Sequence, residues 1–167
     1  MAYFNRYDAP IGTLLLVSDG SNLTGLYMNR EIPEETELPV FTQTKQWLDA
    51  YFRGENPVVD IPIDLIGTPF QVRVWELLKE IPFGQTRTYG QIAEQIARET
   101  GKTKMSSQAV GQAVGKNPVS ILIPCHRVVG ANGKLTGYAG GLENKKWLLG
   151  HEGWQIQNEK IVREMER

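Results

Sequence analysis

The first 65 residues combine short apolar runs with turn residues, a pattern typical of a small unit that mixes helix and strand. The runs over 13–18 and 23–28 favour strands and flank the turn sequence Asp-Gly-Ser-Asn, so we predict a hairpin. Residues 3–7 predict an edge strand, and residues 58–63 predict a further strand. A helix is predicted over 42–52, because its aromatic and leucine side chains recur on one side.

Past this first unit, the apolar positions follow a helical period. Thr68 is a good capping residue and Pro69 suits a first helical position, so a helix is predicted over 70–80. A capping-box pattern that begins at Thr88 predicts a second helix over 88–97.

A polar, basic loop over 98–105 leads to a third helix over 108–115, which either Ser106 or Ser107 can cap. Two short helices joined in this way form a candidate helix-turn-helix, although the connection is longer than the usual 3–4 residues. Plain packing of two neighbouring helices is the alternative.

The apolar run 121–124 predicts a short buried strand that ends at Cys125. A last helix is predicted over 142–151, and the polar residues 155–167 predict frayed helix or disorder. The expected organisation is therefore an α+β domain over 1–65, a mostly helical domain over 66–153 and a polar tail over 154–167.

Charge is distributed unevenly along the 167 residues. The net charge is −1, but residues 1–65 carry 4 Lys and Arg against 10 Asp and Glu, whereas residues 66–167 carry 14 against 9. The basic second part hints at an anionic partner.

No apolar run approaches the ~20 residues of a membrane helix, and no signal-peptide pattern opens the chain. We expect a cytoplasmic protein without membrane attachment, associated with the nucleoid if it is bacterial.

Cys125 is the only cysteine of the chain, so it cannot form an internal disulfide. It is either a small buried hydrophobe, the usual state of a free cysteine, or a reactive thiol. His126 and Arg127 favour the second interpretation, because the thiolate is the nucleophile and nearby cations favour it. With one cysteine and two histidines, a structural zinc site is not expected.

The residues around Cys125 carry a resemblance that extends well beyond them. The segment 117–130 (NPVSILIPCHRVVG) closely resembles the active-site segment of O6-alkylguanine-DNA alkyltransferases. Residues 136–142 (TGYAGGL) and 146–153 (KWLLGHEG) match that family in order and spacing. Shorter upstream matches lie at Phe83-Gly84, Thr88-Tyr89 and 109–111. The similarity is strong from about residue 68 to residue 153.

The resemblance implies an α+β fold, with a small ribonuclease-H-like N-terminal domain and a helical C-terminal domain that contains a helix-turn-helix and the cysteine. It implies direct repair of DNA, in which an alkyl group moves from O6 of guanine to Cys125 after base flipping, with O4 of thymine as an alternative source. The product thioether is stable, so the protein would act once. The implied partner is double-stranded DNA containing O6-alkylguanine, and the implied state is a monomer without cofactor or metal.

The resemblance also assigns catalytic roles. Cys125 resembles the acceptor, and His126 resembles the residue that takes the thiol proton through a bridging water. Glu152 resembles the carboxylate that orients the histidine, although a solvated glutamate at a helix end is the ordinary alternative. Asn117 resembles the side chain that ties the helix-turn-helix to the active-site loop. Tyr89 resembles the tyrosine that donates a proton towards N3 of the flipped guanine.

Other positions correspond to the binding of the base and the duplex. The backbone carbonyl of Val128 resembles the acceptor for the exocyclic amine of guanine, and the backbone N–H of Ala139 lies where the family donates to O6. Tyr138 resembles a residue of the alkyl pocket, and Gly140 would leave room above it. The DNA-contacting positions on this reading are Gln108, Ala109, Gly111 and Arg127.

Gln108 is a departure, because many members of the family carry an arginine there that fills the space left by the flipped base. Glutamine brings no charge and less reach.

The sequence has three rival interpretations, and the residues disfavour the second and the third of them. A cysteine hydrolase or acyltransferase could use the same Cys125, His126 and Glu152 as a triad, with turnover through a thioester. A non-enzymatic lesion-binding relative commonly carries tryptophan where this chain has Cys125. A helix-turn-helix regulator would need an effector or dimerisation signature, which the sequence does not display.

Overall fold

Residues 1–163 are described by the computed structural model, and within them the N-terminal hairpin belongs to a three-stranded antiparallel sheet. The strands β1 (Tyr3–Ala9), β2 (Gly12–Ser18) and β3 (Leu23–Met28) lie in sequence order. Leu14 pairs with Tyr7 on one side and Met28 on the other. The predicted hairpin and edge strand are therefore confirmed.

Helix α1 (Pro39–Phe52) packs against this sheet with Phe41, Leu48 and Tyr51 buried. It begins three residues earlier than predicted, because Pro39 occupies a first-turn position where its missing N–H costs nothing. The segment Pro118–Leu122 belongs to the same unit as residues 1–66.

The strand predicted over 58–63 is wrong. Only Ile63 forms a bridge, to Leu23, within the described residues, and Val58 is largely exposed. Pro57 and Pro62 explain the difference, since proline has no N–H to donate to a strand ladder.

The second unit contains residues 67–117 and the chain from Ile123 onward. Its helices α2 (Pro69–Leu78), α3 (Tyr89–Glu99), α4 (Ser107–Gly115) and α5 (Leu142–His151) agree in type and approximate bounds with the predicted ones. Helix α2 packs against α4, where Trp75 Nε1 donates a hydrogen bond to the Ala113 carbonyl at 2.8 Å. The short strands β4 (Arg87–Thr88) and β5 (Val128–Val129) pair in parallel.

Helices α3 and α4 pack together, as both the predicted helix-turn-helix and plain packing of neighbouring helices require. The capping box at Thr88 forms as expected, with Thr88 Oγ1 accepting from the Gln91 backbone and the Gln91 side chain accepting from Thr88. Ser106, rather than Ser107, caps α4 by accepting from the Ala109 backbone N–H. These caps define where both helices begin.

The strand predicted over 121–124 does not form. Ile121 has φ +73°, which ends extended backbone there, and Pro124 leads directly into a 3-10 turn over Cys125–Arg127. The cysteine therefore lies at the start of a tight turn rather than at the end of a strand.

The prediction of frayed helix or disorder over 155–167 is wrong for the described part of that segment. The strands β6 (Trp154–Gln157) and β7 (Lys160–Arg163) form a hairpin whose turn residues Asn158 and Glu159 both have positive φ. Its apolar side chains pack on a small core and stabilise the hairpin: Trp154, Ile156 and Ile161 against Val129, Leu135 and Leu149. Residues 164–167 lie outside the described part of the chain.

The cap at the start of α3 gives a stability prediction. Thr88→Ala removes the acceptor for a first-turn N–H, and we expect a loss of about 1 kcal/mol in the free energy of unfolding. Thr88→Ser keeps the hydroxyl and should lose much less. Urea unfolding followed by circular dichroism measures both, and equal losses in the two variants would contradict the capping role.

Candidate active site

Cys125 lies at the inner end of an open cleft in the second unit. The thiol residue is 3% exposed, and it borders a cavity of about 520 Å³. Helix α4 supplies much of the lining, and the loop 136–139 supplies another part. The full lining consists of Tyr89, Ser107, Gln108, Gly111, Gln112, Val114, Gly115, Cys125, Thr136, Gly137, Tyr138 and Ala139. A ligand in this cleft would therefore meet the sulfur and the helix-turn-helix together.

His126, the residue after the cysteine, forms a buried pair with Glu152. His126 Nε2 lies 2.6 Å from Glu152 Oε2, and both side chains are fully buried. The 3-10 turn carries the histidine, and the glutamate follows directly after α5 as its C-terminal cap residue. The structure thus brings together two residues that are 26 positions apart in sequence.

The Glu152 carboxylate is held by more than the histidine. Arg127 donates to Oε1 through Nε at 2.8 Å and to Oε2 through Nη2 at 3.1 Å, and the Gly84 backbone N–H donates to Oε1 at 3.1 Å. Burial alone would raise the pKa of Glu152, but its contact with His126 and the hydrogen bonds and charge of Arg127 lower it well below its usual range. Glu152 is therefore an anion.

The assignment of Arg127 to DNA contact needs correction. Its guanidinium is buried, with its donors directed to Glu152 and, through Nη1, to the Ile81 carbonyl at 2.6 Å. With 9% of the side chain exposed and the guanidinium bound to Glu152 and Ile81, Arg127 has little surface to offer a phosphate. The sequence could not separate these roles, because an arginine beside a reactive cysteine suits either one.

The protonation state of His126 follows from its surroundings. Since a carboxylate only accepts hydrogen bonds, Nε2 carries the proton that faces Glu152, and Nδ1 of the neutral ring has a free lone pair. None of the described residues hydrogen-bonds Nδ1. Burial lowers the pKa of His126 despite the opposing effect of Glu152, and Arg127 and Lys145 lower it further. The ring is thus a neutral base.

Lys145 is a site residue that the sequence interpretation missed. It is fully buried in α5, and its Nζ donates to the Val128 carbonyl at 2.6 Å. Burial lowers the pKa of Lys145 to about 8, against an opposing effect from Cys125. The missed signal was its helical position, because Lys145 shares the inward face of α5 with Leu148 and Leu149.

Tyr89 opens α3 and borders the cleft. Its hydroxyl accepts a hydrogen bond from Thr136 Oγ1 at 3.1 Å, and Lys145 Nζ lies 5.9 Å from the centre of its ring. Burial raises the pKa of Tyr89, Thr136 opposes this effect and Cys125 adds to it. The phenol therefore keeps its proton and can act as a donor.

Of the four residues expected to bind the base, two line the same cleft, whereas Val128 and Gly140 are buried and are not among its lining residues. Tyr138 and Ala139 line it directly. The Val128 carbonyl belongs to β5 and already accepts from the Lys145 ammonium, which leaves its second lone pair for another donor. Gly140 is buried, and its carbonyl accepts from Asn144 Nδ2 at 2.8 Å.

The predicted link between α4 and the active-site turn is present. Asn117 follows α4, and its Nδ2 donates to the Ile123 carbonyl at 2.8 Å. On α4 itself, Gln108 is exposed and Gly111 faces the Tyr89 ring, so that an added Cβ would lie 3.7 Å from it. Ala109 is partly exposed on the same helix.

These features define a class of protein with a thiol at the base of a cleft, a neutral histidine base beside it and a helix-turn-helix forming part of the cleft. Within residues 1–163, no helix is long and apolar enough to cross a membrane. In the same part of the chain, no three His, Cys, Asp or Glu side chains are grouped as metal ligands.

Comparison with known families gives matches over both units. Residues 69–154 match the DNA binding domain of 6-O-methylguanine DNA methyltransferase. Residues 2–65 match the ribonuclease-like domain of the same proteins. Together the two matches cover nearly the whole chain.

Individual relatives agree with this result. The methylated-DNA–protein-cysteine methyltransferase of Mycobacterium tuberculosis is 44% identical over 89% of this chain and 91% of its own. The protein of that name from Methanosarcina acetivorans is 45% identical over 90% and 98%. The crystal structure of the Mycobacterium tuberculosis O6-methylguanine methyltransferase matches with a TM-score of 0.79, over 91% of this chain and 93% of that one. A second structure contains the Mycobacterium tuberculosis protein in complex with DNA.

The chain belongs to the 6-O-methylguanine DNA methyltransferase family. Its activity is the repair of O6-methylguanine in DNA by transfer of the methyl group to a cysteine of the protein. The α+β fold, with a ribonuclease-like first domain and a helical DNA-binding second domain, agrees with the expectation from sequence.

The buried pair predicts how stability depends on pH. The pKa values of His126 and Glu152 are both lower in the folded protein than their ordinary values of 6.5 and 4.5. The unfolded chain therefore binds protons more readily, and stability should fall as the pH drops below about 6.5 and fall further below about 4.5. Thermal unfolding between pH 8 and pH 3 measures this dependence.

Two histidine variants provide the control. His126→Gln should lose the part of the fall that lies above pH 4.5, whereas His151→Gln, which removes the only other histidine, should retain it. An equal fall in His126→Gln and the parent protein would contradict the assignment to His126.

Proposed function

We propose that Cys125 is the alkyl acceptor, and that this chain transfers one alkyl group per molecule from O6-alkylguanine in double-stranded DNA without a cofactor. The observation that carries the proposal is the placement of Cys125 in a cleft that α4 also lines. The family match supports the reaction, and the cleft supports the choice of residue.

The first step is activation of the thiol. His126 takes the proton of Cys125 on Nδ1, through a water molecule, and becomes an imidazolium. Glu152 stabilises that cation through its 2.6 Å contact with Nε2. The Lys145 ammonium adds positive charge in the same environment, which favours the thiolate.

The second step is attack of the thiolate on the alkyl carbon. The S–C bond forms as the bond from carbon to O6 breaks, and the electron pair of the broken bond passes to the guanine ring. A thiolate is a suitable nucleophile for this displacement. The product is a thioether, which does not hydrolyse at neutral pH, so the protein is consumed.

Guanine leaves more readily when the ring gains a proton. We assign this donation to Tyr89, at N3 of the base, because burial keeps its phenol protonated and its side chain borders the cleft. The proton that Cys125 gave to His126 then returns through solvent to the tyrosinate, so that guanine leaves as a neutral base. The Ala139 backbone N–H would donate to O6. The Val128 carbonyl would accept from the exocyclic amine with its second lone pair.

The attacked atom lies inside the base stack of duplex DNA, so the nucleotide has to be flipped into the cleft, at a cost of a few kcal/mol. Helix α4 would enter the minor groove, with Gln108, Ala109 and Gly111 towards the DNA, and Tyr138 and Gly140 would border the alkyl group. Phosphate contacts would supply most of the affinity, with little sequence preference. O4-alkylthymine offers the same kind of alkyl–oxygen bond and is proposed as a secondary substrate.

All the proposed site residues come from one chain, which supports action as a monomer. A reduced Cys125 with access to DNA is required, so we place the protein in the cytoplasm, at the nucleoid of a bacterial cell. Asn117 would hold the active-site turn in position against α4.

Intact-mass measurement tests the acceptor. After incubation with DNA containing O6-methylguanine, the protein should gain one methyl group per molecule, located on the peptide that contains Cys125. Cys125→Ser should gain none. Repeated turnover, a thioester, or a methyl group on another residue would contradict the proposal, and the first two outcomes would favour a cysteine hydrolase.

The role of Gln108 is tested by adding the charge that it lacks. Gln108→Arg should tighten binding to lesion-containing DNA about fivefold, equivalent to ~1 kcal/mol, and should raise the rate of methyl transfer, because a cation can hold the space left by the flipped base. Fluorescence anisotropy and single-turnover kinetics measure the two effects.

Gln112→Arg is the matched control, since it adds the same charge to the same helix at another position of the cleft. A smaller effect at Gln112 is expected. No change in Gln108→Arg, or equal gains in the two variants, would refute a specific role for position 108.

A further inference from the structure

The Glu152 carboxylate lies between two groups of different character, the His126 ring and the Arg127 guanidinium. Its Oε2 accepts from both, at 2.6 Å from His126 Nε2 and 3.1 Å from Arg127 Nη2. Its Oε1 accepts from Arg127 Nε at 2.8 Å. Arg127 therefore donates hydrogen bonds to both carboxylate oxygens of Glu152, while His126 contacts one of them.

Arg127 is itself held in place by the segment that follows α2. Its Nη1 donates to the Ile81 carbonyl at 2.6 Å, and the guanidinium carbon lies 5.8 Å from the centre of the Phe83 ring. Gly84, in the same segment, donates its N–H to Glu152 Oε1. The segment after α2 thus sets the position of Arg127 and of the carboxylate together.

We propose that Arg127 is a positioning residue for the site: it aims the Glu152 carboxylate at His126 and offsets its negative charge, so that the imidazole stays neutral and able to accept the thiol proton. This inference deepens the proposed function, and its kinetic consequences rest on that function. Its electrostatic part concerns only the folded protein and can be measured without DNA.

The charges around His126 determine whether its ring is protonated. The groups that act on the ring are Glu152 at the end of α5, Arg127 in the 3-10 turn and Lys145 within α5. Glu152 favours the imidazolium, whereas the two cations and burial disfavour it. An unopposed carboxylate at 2.6 Å in a buried site would hold a proton on His126, and a protonated ring cannot accept another from Cys125.

The Arg127 contacts also orient the Glu152 carboxylate. Without them, the carboxylate would be held by His126 at Oε2 and by a single backbone N–H, from Gly84, at Oε1, and its last torsion is broad and two-fold. A guanidinium presents its donors in a rigid planar fork, so contact with both oxygens defines the carboxylate plane. Oε2 is then held facing His126 Nε2.

Titration of the histidine tests the electrostatic part directly. The chain has two histidines, so ¹⁵N-histidine labelling gives two pairs of ring-nitrogen signals, and His151→Gln assigns each pair to its residue. In Arg127→Met we expect His126 to bind protons about tenfold more tightly than in the parent protein, as expected when a nearby cation is lost. Arg127→Lys keeps the charge and should leave the titration close to that of the parent.

Removal of a buried partner can prevent folding, so Arg127→Gln is the second variant, because its amide retains a hydrogen-bond donor without the charge. It should shift the titration in the same direction as Arg127→Met. A folded Arg127→Met or Arg127→Gln in which His126 titrates as in the parent protein would overturn the proposal.

Single-turnover kinetics separate positioning from DNA contact. The acidic limb of the pH–rate profile should move to higher pH in Arg127→Met and Arg127→Gln. In Arg127→Lys the acidic limb should stay at the parental pH, because the charge is kept. The maximal rate should be lower, because lysine cannot donate to both carboxylate oxygens of Glu152 in a fixed plane. DNA affinity should change by less than about twofold in all three variants, because affinity comes from surface contacts with phosphates and bases.

A weakened affinity with an unchanged pH profile would instead assign Arg127 to the DNA surface and overturn the inference. If no variant and no parent protein transfers methyl, the proposed function fails, whereas the histidine titration still decides the role of Arg127.

Discussion

The site depends on one buried anion, the Glu152 carboxylate. A charge in this position is costly to bury unless hydrogen bonds satisfy it, and here His126, Arg127 and the Gly84 N–H all donate to it. These donors come from the 3-10 turn that begins with Cys125 and from the segment after α2, while the glutamate itself caps α5. Satisfying one carboxylate thus joins the parts of the second unit that carry the reactive sulfur and its base.

The same arrangement explains how the buried His126 ring can act as a proton acceptor. A buried histidine between a carboxylate and two cations stays neutral, as a proton acceptor requires, yet its partner can stabilise the cation that forms. Lys145 contributes charge from the inward face of α5, where it also holds the Val128 carbonyl. The cleft keeps one side of Cys125 accessible, and the capped start of α3 fixes Tyr89 on its border.

Much of the fold follows from local sequence signals. The caps at Thr68 and Thr88 predict helices that form, and the resemblance around Cys125 points to His126 and Glu152, which the structure brings together. The failures have physical causes. The hairpin after residue 153 is polar on one face and needs the core at Leu135 to fold against, so composition alone suggested disorder. Whether Arg127 faces solvent or a buried carboxylate is decided by tertiary contacts 25 residues away in sequence.

The most direct test of this account is the rate of methyl transfer in Glu152→Gln. The amide keeps the size of the side chain but cannot stabilise an imidazolium, so the single-turnover rate should fall by about 10²- to 10⁴-fold. Circular dichroism should show the variant folded, and the exposed Glu143→Gln should react like the parent protein. A folded Glu152→Gln that transfers the methyl group at the parental rate would contradict the central role of this carboxylate.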